Sequence, residues 1–340
     1  MRESVRTGKS ALRRGALAAV TLAGTATVVV LLATVEPGTI ERARSASLPL
    51  LALSVLLVLG AWAALAGRML LNGRALGYRL TFERAALVSL SSEFGAAVSP
   101  GGAGGPAVRV ALLRRLGVPA AMGATMAGAD ILLDGIFFVL MMPLALTVLV
   151  TEPVCRLWAG NGTATLGRAG LRFAIAVALL AGLVWAARAM GRTRRVRRWR
   201  AARYLFVLCR RARRELADMR QAATFLYRRR KRLLLCNLVL AGIQWTCRYG
   251  VLPVLLVAFG CTRNPLPLLP IQGLLLMVSA LVVIPGGGGS VEALSALILP
   301  SFMSRPLVGV VVLVWRLLTY HLNLMAGGAS FAWAMRGRSA

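Results

Sequence analysis

Apolar residues in this chain come in long runs separated by short basic clusters, and the lengths of the runs set the type of element. Residues 16–35, 48–71, 120–150, 171–190, 233–259 and 307–335 are each long enough for a helix to cross about 30 Å of bilayer hydrocarbon. Two further apolar runs, 85–113 and 266–299, are cut near their middles by proline and glycine, so neither makes an uninterrupted span. The pattern predicts an all-α polytopic membrane protein of about six full spans, with the broken runs forming two re-entrant helical hairpins. Eight plain spans, two of them kinked, are the alternative.

Composition agrees and excludes a soluble domain: 58% of the residues are hydrophobic and only 11 of 340 are acidic. The net charge of +30 is not spread evenly. Basic residues cluster before the first run (Arg2, Arg6, Lys9, Arg13, Arg14), after the second (Arg68, Arg74, Arg79, Arg84), in the segment 191–232 and at the tail (Arg336, Arg338). The intervening connections, with Glu36, Glu41, Arg42 and Arg44 or Glu152, Arg156 and Arg168, carry few. By the positive-inside rule both termini of a multi-pass plasma-membrane protein are then cytoplasmic, with the first run kept as an anchor. The basic segment, from Arg192 to Arg232, interleaves Tyr204, Leu205, Val207 and Leu208 with arginines. It reads as a cytoplasmic surface helix whose partners are anionic lipid headgroups and not nucleic acid.

The broken runs resemble each other. SPGGAGGPAVRVALL begins at Ser99 and IPGGGGSVEALSALIL at Ile284. Each has an apolar approach, Pro-Gly-Gly, more glycine, then a helical run, with turn residues Pro100, Gly101, Gly104 and Gly105 in one and Pro285, Gly286, Gly287, Gly288 and Ser290 in the other. Arginines 84, 114 and 115 flank the first hairpin, which enters and leaves on the cytoplasmic side; Arg263 and Arg305 flank the second, on the outer side. The order span, span, hairpin, span therefore repeats from the opposite face, over residues 1–150 and 151–340. Such inverted-topology repeats are typical of transporters whose sites lie near the midplane.

Candidate chemistry is sparse. The five cysteines form no CxxC pair, His321 is the only histidine, and no Walker motif is present, so neither a metal centre, a cofactor nor ATP hydrolysis is expected. The sequon at Asn161 is a short motif of little weight.

PGGGGSVEALSALIL followed by VVVLVWRLLTYHLNLMAGG resembles the C-terminal half of the lysylphosphatidylglycerol synthase transmembrane-region family, with Pro285, Gly286, Gly287, Glu292, Arg316 and Gly328 on its pattern. SPGGAGGPAVRVALLRRLGV is similar to the N-terminal half through Pro100, Gly104, Gly105, Arg109, Leu112, Leu113, Arg115 and Gly117. Two departures stand out. Pro106 occupies a position often acidic in the family, and Asp130-Ile131 stands before Asp134 where an acidic-Arg pair is usual, leaving a charge pair incomplete. The resemblance implies a lipid flippase-like transporter without an aminoacyl-transferase domain, working beside a separate lipid-synthesising enzyme. It is not expected to be an enzyme. The cargo would be a phosphate-containing lipid such as an aminoacyl-phosphatidylglycerol, a glycolipid or a polyprenyl phosphate. An ion-coupled small-solute transporter and a membrane-embedded lipid-modifying transferase, or its accessory subunit, are the alternatives.

The ionisable residues at membrane depth are the candidates for headgroup binding: Glu93, Arg109, Asp130, Asp134, Arg248, Glu292 and Arg316. Each costs at least about 2.5 to 3.5 kcal/mol to insert, so each needs a partner or a task. Asp130 and Asp134 share a helical face and either line a polar path or pair with arginines such as Arg248 or Arg316. Arg109 and Arg316 suit bidentate phosphate binding. The helices starting near Pro106 and at Ser290, the latter an N-cap with Glu292 in the first turn, would add free backbone N–H groups.

Overall fold

The computed structural model describes residues 44–99, 102–151, 230–261 and 290–336, with a few short pieces between them. The expected spans 16–35 and 171–190, most of the basic segment, and the turn residues Pro100, Gly101, Pro285, Gly286, Gly287 and Gly288 lie outside the described residues.

Within them every regular element is helical. Helix α1 covers Leu48–Ala75, entered through Pro49 at its first turn and closed by Gly77 at φ +85°, where the Tyr78 N–H returns to the Gly73 carbonyl. Helices α2 (Phe82–Ala97) and α3 (Gly104–Arg115) follow, then α4 (Ala120–Thr151) and α5 (Lys231–Ala258). Helix α6 (Ser290–Ile298) leads through a short 3₁₀ turn into α7 (Arg305–Arg316), and a π turn at Leu317–His321 joins α7 to α8 (Leu322–Arg336). Four of these segments are long and apolar enough to span a membrane: Leu48–Ala75, Ala120–Phe138, Lys231–Ala258 and Arg305–Arg336. They coincide with four of the six expected spans.

The first broken run is two helices, as expected, of 16 and 12 residues. They close as a hairpin because the chain offers no Cβ where they touch. A Cβ on Gly95 would sit 2.8 Å from the Gly104 carbonyl oxygen, and one on Gly104 would strike the Gly95 carbonyl. Gly102 turns the chain at φ +74°. The Ser99 hydroxyl accepts the Gly104 N–H at 2.7 Å, and Ser92 donates to the Gly105 carbonyl at 2.9 Å, so backbone groups freed by the break find partners. Helix α3 starts at Gly104, two residues before the expected Pro106. Of the second broken run the structure describes chiefly α6, which starts at Ser290.

The arrangement follows from a few ties. The Ser47 N–H donates to the Ala258 carbonyl at 2.8 Å and Arg230 reaches the Arg74 carbonyl at 2.6 Å, so α1 and α5 run antiparallel along their whole lengths. Arg115 reaches the Ala334 carbonyl, and Gly327 lets α8 lie directly on Leu90 and Phe94 of α2. Basic groups Arg74, Arg79, Arg84, Arg114, Arg115, Arg230 and Arg336 thus collect at one end of the bundle, as the charge pattern predicts. One apolar cluster joins α1, α2, α3 and α4 (Met69, Val88, Leu113, Met126); a second joins α1, α5, α6 and α7 (Val58, Leu255, Val291, Val311, Trp315). Leu56, Leu59, Leu235, Val239 and Met325 face outward, as lipid-facing side chains do.

Candidate functional site

Between the two clusters lies a polar interior built on Arg68. This residue is 1% exposed and points from α1 into a cage supplied by α4 and α5. Its Nη1 donates to Asp134 Oδ1 and to Gln244 Oε1, both at 2.7 Å, and its Nε to Asn237 Oδ1 at 2.9 Å. Its Nη2 faces Asp130 Oδ1 at 3.4 Å and the Asp130 carbonyl at 3.2 Å. Asp130 is held further by Arg109 Nη1, 2.6 Å from Oδ2, and by Asn72 Nδ2, 2.9 Å from Oδ1. Asn237 in turn donates to Asn72. Spacing four apart on α4 puts both aspartates within reach of one guanidinium, which only arginine can satisfy in several directions at once.

The chain of polar groups continues outward. Trp245 Nε1 donates to Asp134 Oδ1 at 2.9 Å, the Arg248 guanidinium lies 5.2 Å from the centre of the Trp245 ring, and Arg248 pairs with Glu93 of α2. Phe138 and Tyr249 pack edge-on and tilted against Trp245. The sequence from α3 to α2 is therefore Arg109, Asp130, Arg68, Asp134, Trp245, Arg248, Glu93. One end is sealed: Arg68 and Asp130 are 1% and 4% exposed. The other end is open, with the side chains of Asp134, Arg248 and Glu93 at 23%, 22% and 24%.

A separate pair sits in the second half of the chain. Glu292 of α6 faces Arg316 of α7 at 2.7 Å, both deeply buried, and the Arg316 guanidinium lies 4.3 Å over the Tyr320 ring in the π turn. His321 Nδ1 is 3.1 Å from the Arg316 carbonyl, at the start of the π turn.

Five of the seven expected site residues, Arg109, Asp130, Asp134, Arg248 and Glu93, are thus brought together in one polar chain, with Glu292 and Arg316 apart. The partners differ from those expected. Asp130 and Asp134 pair with Arg68 and Arg109, not with Arg248 or Arg316, because α1 and α3 pack on α4 at that level while Arg248 turns to α2. Both arginines nominated for phosphate, Arg109 and Arg316, hold carboxylates. The charge pair incomplete within α4 is completed from α1 and α3. Sequence reasoning counted Arg68 among loop cations and passed over Asn72, Asn237, Gln244 and Trp245. The signal was present: Arg68 precedes Met69, Leu70 and Leu71 inside an apolar run, and amides recur in α1 and α5.

Helices long enough to span a bilayer, packed around buried ion pairs, define a multi-span helical membrane protein. A family model described as the lysylphosphatidylglycerol synthase TM region matches residues 16–327, and the chain belongs to that family. It is similar to a UPF0104 membrane protein of Archaeoglobus fulgidus, 26% identical over 304 residues that cover 84% of this chain and 87% of that one.

Proposed function

We propose that this protein moves a phosphate-containing lipid between leaflets, its headgroup passing along the open end of the polar chain while the acyl tails stay in the bilayer. The observation that carries the reading is the half-open trio Asp134, Arg248 and Glu93 on helices whose outer faces are apolar. A charged group at membrane depth is expensive, and one left partly open is worth retaining where a polar ligand meets it. Arg248 has one carboxylate partner and an aromatic face, so its fork can exchange Glu93 for phosphate oxygens; Arg68, caged on every side, serves as the frame.

The inverted repeat over residues 1–150 and 151–340 belongs to the same proposal. It is supported by the two pairs Arg109–Asp130 and Glu292–Arg316, each joining the helix after a glycine-rich break to the next long helix, with the charges exchanged. Re-entrant hairpins, cytoplasmic termini in a plasma membrane, and a separate lipid-synthesising enzyme as partner complete the reading, with aminoacyl-phosphatidylglycerols, glycolipids and polyprenyl phosphates as the cargo classes. The test is reconstitution into liposomes with headgroup-labelled lipids and an impermeant quencher. Exchange between leaflets that requires the protein and falls in folded Arg248→Ala is expected; equal exchange with and without protein, for every one of these lipid classes, overturns the reading.

A further inference from the structure

The two aspartates of α4 are held very differently, and the difference has chemical content. Asp130 uses both carboxylate oxygens, Oδ1 with Asn72 and Arg68 and Oδ2 with Arg109, and its side chain is 6% exposed. Asp134 takes Arg68 and Trp245 on Oδ1 alone; among the described residues Oδ2 accepts nothing, and the side chain is 23% exposed. A proton arriving on Asp134 Oδ2 therefore leaves both existing hydrogen bonds in place, since the carbonyl oxygen of the neutral acid still accepts. A proton on Asp130 would have to displace a guanidinium.

Charge then decides the consequence. With both aspartates ionised, Arg68 and Arg109 are balanced and the cluster is neutral. The groups facing Asp134 are Arg68 from α1, Asp130 on its own helix, and Trp245, Arg248 and Tyr249 from α5; Arg109 of α3 acts through Asp130 and Glu93 of α2 through Arg248. Arg248 and Glu93 cancel as a pair. Protonating Asp134 thus leaves one uncompensated positive charge beside the open end of the chain, in surroundings of low dielectric where it acts strongly.

We infer that Asp134 is a proton-binding site coupled to anion binding: a proton taken from water onto Oδ2 and a phosphate-bearing anion enter together and leave together, keeping the interior neutral. This rests on the lipid-translocation reading for the identity of the anion. By linkage, anion affinity in the wild-type chain falls about tenfold per pH unit once Asp134 is ionised. In Asp134→Asn, which fixes the neutral form, it is independent of pH.

The test uses the purified full-length chain. Acidification should produce a protonated-carboxyl band in difference infrared spectra that is absent from Asp134→Asn and displaced in Asp134→Glu, both checked for folding by thermal unfolding. Calorimetric titration with a soluble short-chain phosphatidylglycerol, in buffers of different ionisation heat, should show proton uptake with the wild type and none with Asp134→Asn. A band unchanged by either substitution, or wild-type affinity flat with pH, overturns the coupling. Leaflet exchange equally fast at every pH overturns the coupling while leaving translocation standing. A probe that binds at no pH, together with no exchange, removes both.

Discussion

Arg68 shows how much a single side chain can organise at membrane depth. It joins three helices through two aspartates and two amides, and its loss would remove a charge partner from both aspartates and a donor from both amides. Arg68→Ala is therefore expected to destabilise the protein by about 3 to 5 kcal/mol, the usual consequence of breaking a buried ionic set from one side, read as a lowered unfolding temperature in detergent. Arg248 contrasts with it. Its carboxylate partner is less deeply buried, so Arg248→Ala should lower the unfolding temperature less than Arg68→Ala does while leaflet exchange is lost. Arg248→Lys, with charge but no planar fork, should restore exchange only in part. At this scale the sequence was informative about which groups matter and uninformative about who meets whom. Seven depth-placed ionisable residues could be picked out from their apolar surroundings. Their pairing depends on how α1 and α3 rotate against α4, and rotation of a helix that is apolar nearly all round leaves no periodic trace.

Among the elements, the α2–α3 hairpin makes the sharpest demand on sequence. Gly95→Ala and Gly104→Ala each drive a methyl into backbone and should cost about 1 to 3 kcal/mol with partial loss of the hairpin's packing, measured by thermal unfolding. Gly135→Ala is the control: it lies within α4, a Cβ there meets nothing within 4 Å, and the substitution should be neutral or stabilising by about 0.5 to 1 kcal/mol. This hairpin was legible because proline and glycine interrupt the apolar run, and the four described spans because length alone sets them. The π turn after Arg316 was not legible, since LLTYH carries no glycine or proline to mark the deformation that gathers Arg316, Tyr320 and His321.

For the whole molecule, orientation is the testable quantity. With the arginine-rich end of the bundle cytoplasmic, as proposed, Arg79 would lie on the cytoplasmic face and Ser304, before α7, on the outer face. On a background without native cysteines, Arg79→Cys and Ser304→Cys should be labelled by impermeant thiol reagents from opposite sides of a sealed vesicle. Labelling of both from one side would contradict the inverted arrangement. The native thiols must be removed even though Cys261 reacts slowly, its burial pushing it up to about 11.

The pair between Arg248 and Glu93 has one more consequence. Arg109–Asp130, Arg68–Asp130 and Arg68–Asp134 each stay within residues 1–150, and Glu292–Arg316 stays within 151–340; among the described ion pairs, Arg248–Glu93 alone crosses from one proposed half to the other. It adds a charged tie to the hydrogen bonds that already cross between these halves, Arg68 to Asn237 and Gln244 and Trp245 to Asp134. On the proposed function, a headgroup that competes for Arg248 would loosen that charged tie in the act of binding, and a chain without it would be expected to be as loose there empty as loaded.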